Sequence, residues 1–259
     1  MAYDDMVLDD RQLLDVFDAA KCEGALVMVQ AEGFDSIRFM ADRLEVEGRT
    51  APAAHAASRP ELVEREATHR VIALAELVGI LIMVVHVSGR EAIEQIEWAR
   101  RRGLTVHAET YPQYLVLTAA DLDRPGMEGA RFVCSPPPRD AESQATVWRA
   151  LAGGAFQTFS SDHCPFRYDD AAGKTGPKAR VSFRGVPNGT PGVAARLPNQ
   201  FVPLGRAQTG QHLVPPTLFL LGIRDPVADR LPGRLELPGK IILITTGANQ
   251  IDHLTTELR

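Results

Sequence analysis

The amino-acid sequence predicts an α/β fold built from repeated strand–helix units, and two observations carry this prediction. Over roughly the first two thirds of the 259 residues, short apolar runs of strand length alternate with amphipathic segments of helical period. Each amphipathic segment also has its own start and stop residues. A (β/α)8 TIM barrel is the favoured architecture, and the strands that can be identified make up half of one. An open doubly wound sheet is the alternative, although no glycine-rich phosphate-binding motif follows any strand.

The strands are predicted from apolar runs that are rich in β-branched residues. A parallel strand that is covered on both faces needs such a nearly continuous apolar run, because neither of its faces meets water. The four predicted strands are "ALVMVQ" at 25–30, "ILIMVVHV" at 80–87, "LTVHAE" at 104–109 and "FQTFS" at 156–160.

The helices are predicted from apolar residues at helical spacing and from residues that favour helix ends. Asp9 is a candidate N-cap, and Gly79 follows the last apolar residue of the most regular segment. Ser88 and Glu91 stand three apart, which is the spacing of a capping box. The predicted helices span 9–23, 60–79, 92–102 and 140–154.

Composition and charge narrow the classes of partner. Lys and Arg number 28 against 33 Asp and Glu, so the net charge of −5 predicts no nucleic-acid partner and no anionic membrane surface. Three widely spaced cysteines without a CxxC pair predict no disulfide framework and favour a reducing, cytoplasmic compartment. No apolar run reaches membrane-spanning length, and the first residues lack the pattern of a signal peptide. A small molecule or a protein is therefore the expected partner.

Polar residues at strand ends are the candidates for chemistry, because parallel α/β barrels carry their active sites at the carboxyl ends of the strands. Gln30, His86 and Asp162 occupy such positions. An imidazole and a carboxylate on one face suit a zinc-like ion, whereas each alone is more often structural, as a hydrogen-bonded histidine or a capping aspartate. His163 and Cys164 compete with Asp162 for the role, but adjacent side chains diverge, and Cys164 is expected to be a small buried residue.

The chain changes character near its 198th residue. Before that point the strand–helix pattern is regular, apart from a stretch at 168–178 that is predicted to be an exposed loop. After it, scattered prolines and glycines interrupt any helical period. We therefore predict a division into residues 1–198, which carry the barrel units, and residues 199–259, a divergent tail without an assigned fold.

Eight stretches between residue 1 and about residue 198 carry a family resemblance. They are "MAY", "ALVMVQAEG", "GRTAPAAHAASRPELVEREATHR", "VVHVSGREAIEQI", "AETYPQYLVLT", "FVCSPPPRD", "SSDHCPF" and "VPNGTPGVAARLP". In this order they resemble the hydantoinase and dihydropyrimidinase branch of the cyclic amidohydrolases. The resemblance implies roughly the second half of an amidohydrolase (β/α)8 barrel, a site with two zinc ions, a cyclic diamide substrate whose ring is opened by metal-activated water, and a homo-oligomer.

The resemblance also implies roles for individual residues. His86 falls on a zinc-ligand histidine, and Asp162 falls on the aspartate that binds metal and acts as general base. Tyr3 falls on the tyrosine that stabilises the oxyanion. Ser135 and Asn188 fall on residues whose main-chain groups hold the cyclic diamide.

The chain departs from the family pattern at several metal ligands. Gln30 stands where the family has a ligand histidine, and an amide oxygen is a weaker, neutral ligand. The family's His-x-His pair and carboxylated lysine precede the "MAY" motif, so the resemblance implies a truncated member. Gln30 favours an alternative function, that of a catalytically inactive assembly protein related to dihydropyrimidinase. The retained constellation of Tyr3, His86, Ser135 and Asp162 favours an enzyme.

Overall fold

The computed structural model of the chain describes residues 6–195 and the backbone of residues 240–243. Tyr3, and residues 199–259 apart from that short stretch, lie outside the described residues. The structure therefore leaves the expectation for Tyr3, and most of the expected tail, as predictions.

The centre of the described structure is a parallel sheet whose strands are ordered β4-β3-β2-β1-β5. The four predicted strands all form, and each pairs with the next along the chain, as consecutive units of a barrel do. The fifth strand lies in the predicted tail and pairs in parallel with β1. The strands are β1 (Ala25–Val29), β2 (Ile82–Val84), β3 (Val106–Thr110), β4 (Thr158–Phe159) and β5 (Lys240–Leu243).

Eight α-helices lie within residues 6–195, and they include the four that the sequence predicts. The helix α2 was not predicted, although its apolar residues Ile37, Ala41 and Leu44 have helical spacing and are buried. The helices are α1 (Asp10–Cys22), α2 (Phe34–Val46), α3 (Ala53–Ala57), α4 (Glu61–Val78), α5 (Arg90–Arg101), α6 (Gln113–Val116), α7 (Ala141–Ala152) and α8 (Pro177–Val181). None of the described helices is both long enough and apolar enough to cross a bilayer.

The predicted helix ends are confirmed in two cases and wrong in a third. Asp9 caps α1, since its carboxylate accepts from the Gln12 N–H at 2.8 Å, and α4 ends at Gly79 with a φ of +73°. The capping box predicted at Ser88 and Glu91 does not form. The N-cap of α5 is Gly89, and Ser88 instead binds a carboxylate on α4 that lies far away in sequence.

The main core lies between the sheet and the helices α1, α4, α5 and α7. Phe17 of α1, Ile72 of α4, Ile96 of α5 and Val147 of α7 are buried in one cluster with alternate residues of the strands, such as Val27. The other strand residues form a separate apolar cluster of Leu26, Met28 and Met83. The sheet is thus buried on both faces, as the continuous apolar runs predict.

Two expectations about the later loops are wrong. Residues 168–178 are not an exposed loop throughout, because Lys174 is only 3% exposed and Thr175 is also buried. The chain packs closely there: a Cβ placed on Gly173 would lie 2.2 Å from the Arg167 carbonyl oxygen, so only glycine fits. Cys164, expected to be buried, is exposed.

Candidate active site at the carboxyl ends of the strands

The carboxyl ends of four neighbouring strands bring polar side chains to one edge of the sheet. Gln30 directly follows β1, His86 lies two residues beyond β2, and Asp162 lies three residues beyond β4. Glu109 is the penultimate residue of β3, and it pairs with Thr158 of β4. Because the strands are parallel and adjacent in this order, these side chains share the edge at which an α/β barrel carries its active site.

His86 and Asp162 have an unusual backbone conformation. Their φ angles are +42° and +40°, and no other non-glycine residue in the described part of the chain has a positive φ. This left-handed region costs an L-residue about 1–3 kcal/mol and is found most often at functional sites, where the surrounding structure enforces it. Two of the three residues singled out at strand ends by the sequence are therefore also the described non-glycine residues with this strained backbone, and Gln30 is not.

Glu109 and Tyr111 extend this site, and the sequence reasoning did not identify them. The Tyr111 hydroxyl donates to Glu109 Oε2 at 2.7 Å, and its ring meets the His86 ring edge-on with centroids 6.1 Å apart. Burial raises the pKa of both groups, and the charge of Asp162 raises it further in each case. Glu109, Tyr111 and His86 are thus joined by direct side-chain contacts, and Asp162 lies near enough to act on the first two through its charge. The position of Glu109 at the end of "LTVHAE" was the signal that could have identified it.

The described residues do not by themselves fit a zinc ion. Zinc sites use three or four protein ligands, and His86 with Asp162 supplies two. Within the residues that the structure describes, no group of three or more His, Cys, Asp and Glu side chains could hold a metal. Gln30 is buried, and its amide nitrogen donates to Glu32 Oε2 at 3.2 Å. Its amide is therefore engaged with a neighbouring carboxylate.

Ser135 and Asn188, expected to hold the substrate, lie next to each other although 53 residues separate them in sequence. The Ser135 hydroxyl donates to Asn188 Oδ1 at 3.1 Å. The two loops are joined again by the main chain, since the Gly189 N–H donates to the Val133 carbonyl at 3.0 Å. The loop that carries Ser135 and the loop that carries Asn188 are thus in direct contact, whereas in the sequence only the resemblance relates these two residues.

Lys174 links the same two loops through hydrogen bonds to their main chains. Its buried ammonium donates to the Val133 carbonyl at 2.7 Å and to the Pro187 carbonyl at 2.6 Å. Burial lowers the pKa of Lys174 to about 8. Because Val133 and Pro187 flank Ser135 and Asn188, the lysine sets the spacing of that pair. No local sequence signal marks this role, since both partners are main-chain carbonyls of distant loops.

A buried ion pair holds the loop that follows His86. Arg139 donates to Glu64 Oε2 at 2.9 Å and to Ser88 Oγ at 2.8 Å, and it also donates to the carbonyl of Arg59. Glu64 in turn accepts from the Ser88 N–H at 2.9 Å. Burial raises the pKa of Glu64, while the charge of Arg139 opposes that rise. Ser88 lies two residues after His86, so this network fixes the backbone on which His86 sits.

His163 and Cys164 contact the loop that follows Asn188. The His163 Nδ1 accepts from the Gly192 N–H at 3.2 Å, and the Cys164 N–H donates to the Thr190 carbonyl at 3.2 Å. The side chain of Asp162, between these residues and the end of β4, is exposed at the strand-end edge. His163 and Cys164 are therefore engaged with the loop that follows Asn188, whereas Asp162 is the residue of the three with a left-handed backbone.

The chain is similar in sequence to D-hydantoinases of several bacteria. The chain is 44% identical over 198 residues to the D-hydantoinase of Rhizobium radiobacter and 44% identical over 200 residues to that of Geobacillus stearothermophilus. Each comparison covers 76% of this chain, and 42% and 41% of those relatives. The matched residues belong to the hydantoinase/dihydropyrimidinase family. No family model matches the chain.

Solved structures of hydantoinases agree with this assignment. A D-hydantoinase structure gives a TM-score of 0.76 at 42% identity, covering 80% of this chain and 45% of that one. The dihydropyrimidinase of Brevibacillus agri gives 0.75 at 40% identity, covering 81% and 44%. The chain thus spans less than half the length of the hydantoinases that it matches, which agrees with the predicted partial barrel. These relatives are enzymes by name, so the alternative of an inactive assembly protein is not favoured.

Proposed function

We propose that this chain carries part of the active site of a hydantoinase-type hydrolase, which opens the ring of hydantoins or dihydropyrimidines with water. The observation that carries the proposal is the left-handed backbone shared by His86 and Asp162 at one edge of the parallel sheet. The family relationship supports the substrate class, because the relatives are named D-hydantoinases and dihydropyrimidinases.

The roles that we assign to the residues are those that the resemblance to the family implies. Asp162, exposed at the strand ends, takes a proton from the attacking water and passes it to the leaving ring nitrogen. The water oxygen bonds to the ring carbonyl carbon, the ring C–N bond breaks, and the product is a carboxylate. Main-chain groups at Ser135 and Asn188 hold the cyclic diamide, and their hydrogen bond supports this placement. Tyr3, outside the described residues, is assigned to the oxyanion.

Zinc is the cofactor that the resemblance implies, and His86 and Asp162 are the ligands we assign to it. Gln30 takes the place of a further ligand, although its amide is engaged with Glu32. Because the described residues supply no third ligand, no catalytic step is assigned to the ion. Zinc binding by this chain is consequently expected to be weak, and assays need the ion in excess.

The proposal extends to the organisation of the protein. Residues 1–198 are the proposed family part, residues 199–259 are the proposed divergent tail, and the β5 strand of that tail pairs with β1. Cys22, Cys134 and Cys164 are free thiols, which supports a cytoplasmic location. Among the described strands β4 pairs on one side only, and such an open edge favours a homo-oligomer.

The test is ring opening by the purified chain with zinc in excess, using dihydrouracil and a 5-substituted hydantoin. We expect N-carbamoyl products from the wild-type chain and a rate lower by about 10²–10⁴-fold in Asp162→Asn, the usual effect of removing a general base. Cys164→Ser is the matched control, since Cys164 is exposed two residues away. A wild-type chain no faster than buffer, or an Asp162→Asn variant as active as the wild type, contradicts the proposal.

A further inference from the structure

Asn188 also lines a cavity whose charged side chains are all cationic. It has a volume of about 230 Å³ and is bounded by α2, by the end of α3 and by the 3-10 turn Phe183–Gly185. Its polar lining consists of three arginines, His55, Ser58 and Asn188, and none of the residues lining it carries a carboxylate. At about 30 Å³ for each water molecule, this volume admits a compact ligand rather than a polymer.

Arg59 is the buried cation of this cavity. Its side chain is 7% exposed, and its Nε and Nη1 atoms make no hydrogen bond within the described part of the chain. No described carboxylate forms an ion pair with it either. A guanidinium does not lose its proton to escape burial, so the charge stays and calls for a counter-charge. Buried polar groups in native proteins nearly always have a partner, so the orphaned donors of Arg59 call for an ordered water, an ion or a ligand, and its uncompensated charge favours an anion.

The neighbouring groups leave the positive charge uncompensated. Arg184 is neutralised by ion pairs to Asp42 and Glu45. Arg38 lies over the ring of Phe34, 5.5 Å from its centroid, and no described carboxylate pairs with it. Burial and the charge of Arg59 hold the pKa of His55 well below its ordinary value, so His55 is neutral. The cavity therefore keeps the charges of Arg38 and Arg59 without an anion to balance them.

We propose that this cavity binds a small free carboxylate, with Arg59 as the residue that recognises it. A guanidinium presents parallel N–H donors that match the two oxygens of a carboxylate. His55 Nε2 lies 2.8 Å from the carbonyl of Cys134, next to Ser135, and Asn188 lines the cavity itself. Carboxylate binding is thus coupled through both residues to the loops that carry the Ser135–Asn188 pair. The proposal stands independently of the ring-opening function, because binding needs no turnover.

The experiment measures thermal unfolding and calorimetric binding of the full chain with malonate, and with malonamide as the neutral match. We expect malonate to raise the midpoint of unfolding and malonamide to leave it unchanged. Arg59→Gln is expected to lose at least tenfold in malonate affinity, while Arg11→Gln, which removes an exposed arginine that does not line the cavity, keeps it. Equal binding of malonate and malonamide, or unchanged affinity in Arg59→Gln, overturns the proposal.

A second measurement covers the case in which Arg59→Gln does not fold. The Nε–H resonance of Arg59 in the wild-type chain is expected to shift on titration with malonate and to stay in place with malonamide. No shift overturns the proposal. Self-association of the chain that malonate disrupts would assign the carboxylate to a side chain of a second copy, and would overturn the small-ligand proposal as well.

Discussion

The ion pair between Arg139 and Glu64 offers a test of how the strand-end site is held. The side chains of Arg139 and Glu64 are only 5% and 4% exposed, and both form hydrogen bonds with Ser88. Glu64→Gln or Arg139→Met leaves an uncompensated charge in the interior. Removing one member of such a pair costs about 3–5 kcal/mol of the free energy of unfolding.

The double variant distinguishes a true pair from two independent contributions. Removing both charges leaves neither member of the pair as an unpaired ion, so the remaining cost is that of the unpaired Ser88 and Arg59 main-chain groups, about 2–4 kcal/mol. This is well below the sum of the two single losses, about 6–10 kcal/mol. Losses that add, or a single loss under about 1 kcal/mol, would refute the reasoning.

The assay is urea unfolding followed by the fluorescence of Trp98 and Trp148, the two tryptophans of the chain. The midpoint and the slope are measured for the wild type, both single variants and the double variant, and equal slopes show that the compared states are the same. Arg11→Gln is the control for loss of a positive charge, since Arg11 is exposed on α1 and its ion pair with Asp15 is solvent-screened.

Three further predictions concern residues around the same edge. Lys174→Met is expected to lower the free energy of unfolding by about 1–3 kcal/mol at pH 7, because the Pro187 carbonyl loses its donor. The pKa of Lys174 is about 8 in the folded chain, below its ordinary value of 10.5. Between pH 8 and 10.5 the lysine is therefore protonated in the unfolded chain but largely neutral in the folded chain. Because the unfolded state binds more protons in this window, the contribution of Lys174 to the free energy of unfolding rises with pH there. That rise is absent in the variant, and urea titrations at pH 7.5 and 10 check both effects. Asp162→Gly is expected to be more stable than Asp162→Ala by about 1 kcal/mol, because only glycine adopts a φ of +40° without strain, and equal midpoints would contradict this. Tyr111→Phe is expected to cost about 1 kcal/mol by removing one of the two side-chain donors to the buried Glu109, the other being Ser160, and an unchanged urea midpoint would be the contrary result.

Features with a local cause could be predicted from the sequence. The Asp9 cap and the stop at Gly79 depend on neighbours within one helical turn, and both form as expected. The strands were identified because a covered parallel strand needs a continuous apolar run. His86 and Asp162 were identified because a polar residue directly after such a run falls at the functional edge of the sheet.

Features decided by distant partners could not be predicted. Ser88 fits a capping box by spacing, yet the carboxylate of Glu64, 24 residues away, takes its N–H instead. Lys174 lies in a stretch with the composition of an exposed loop, and it is buried because carbonyls 41 and 13 residues away accept from its ammonium. The helix α2 starts at Gly33, which has no side chain to provide a cap signal.

The most direct test of the central claim is the fate of dihydrouracil incubated with the wild-type chain and excess zinc in H₂¹⁸O. If the strand-end site opens the ring with water, mass spectrometry shows an N-carbamoyl product with one ¹⁸O in its new carboxylate, and Asp162→Asn yields almost none. Unchanged dihydrouracil with the wild-type chain, or product formed equally by Asp162→Asn, would contradict the account.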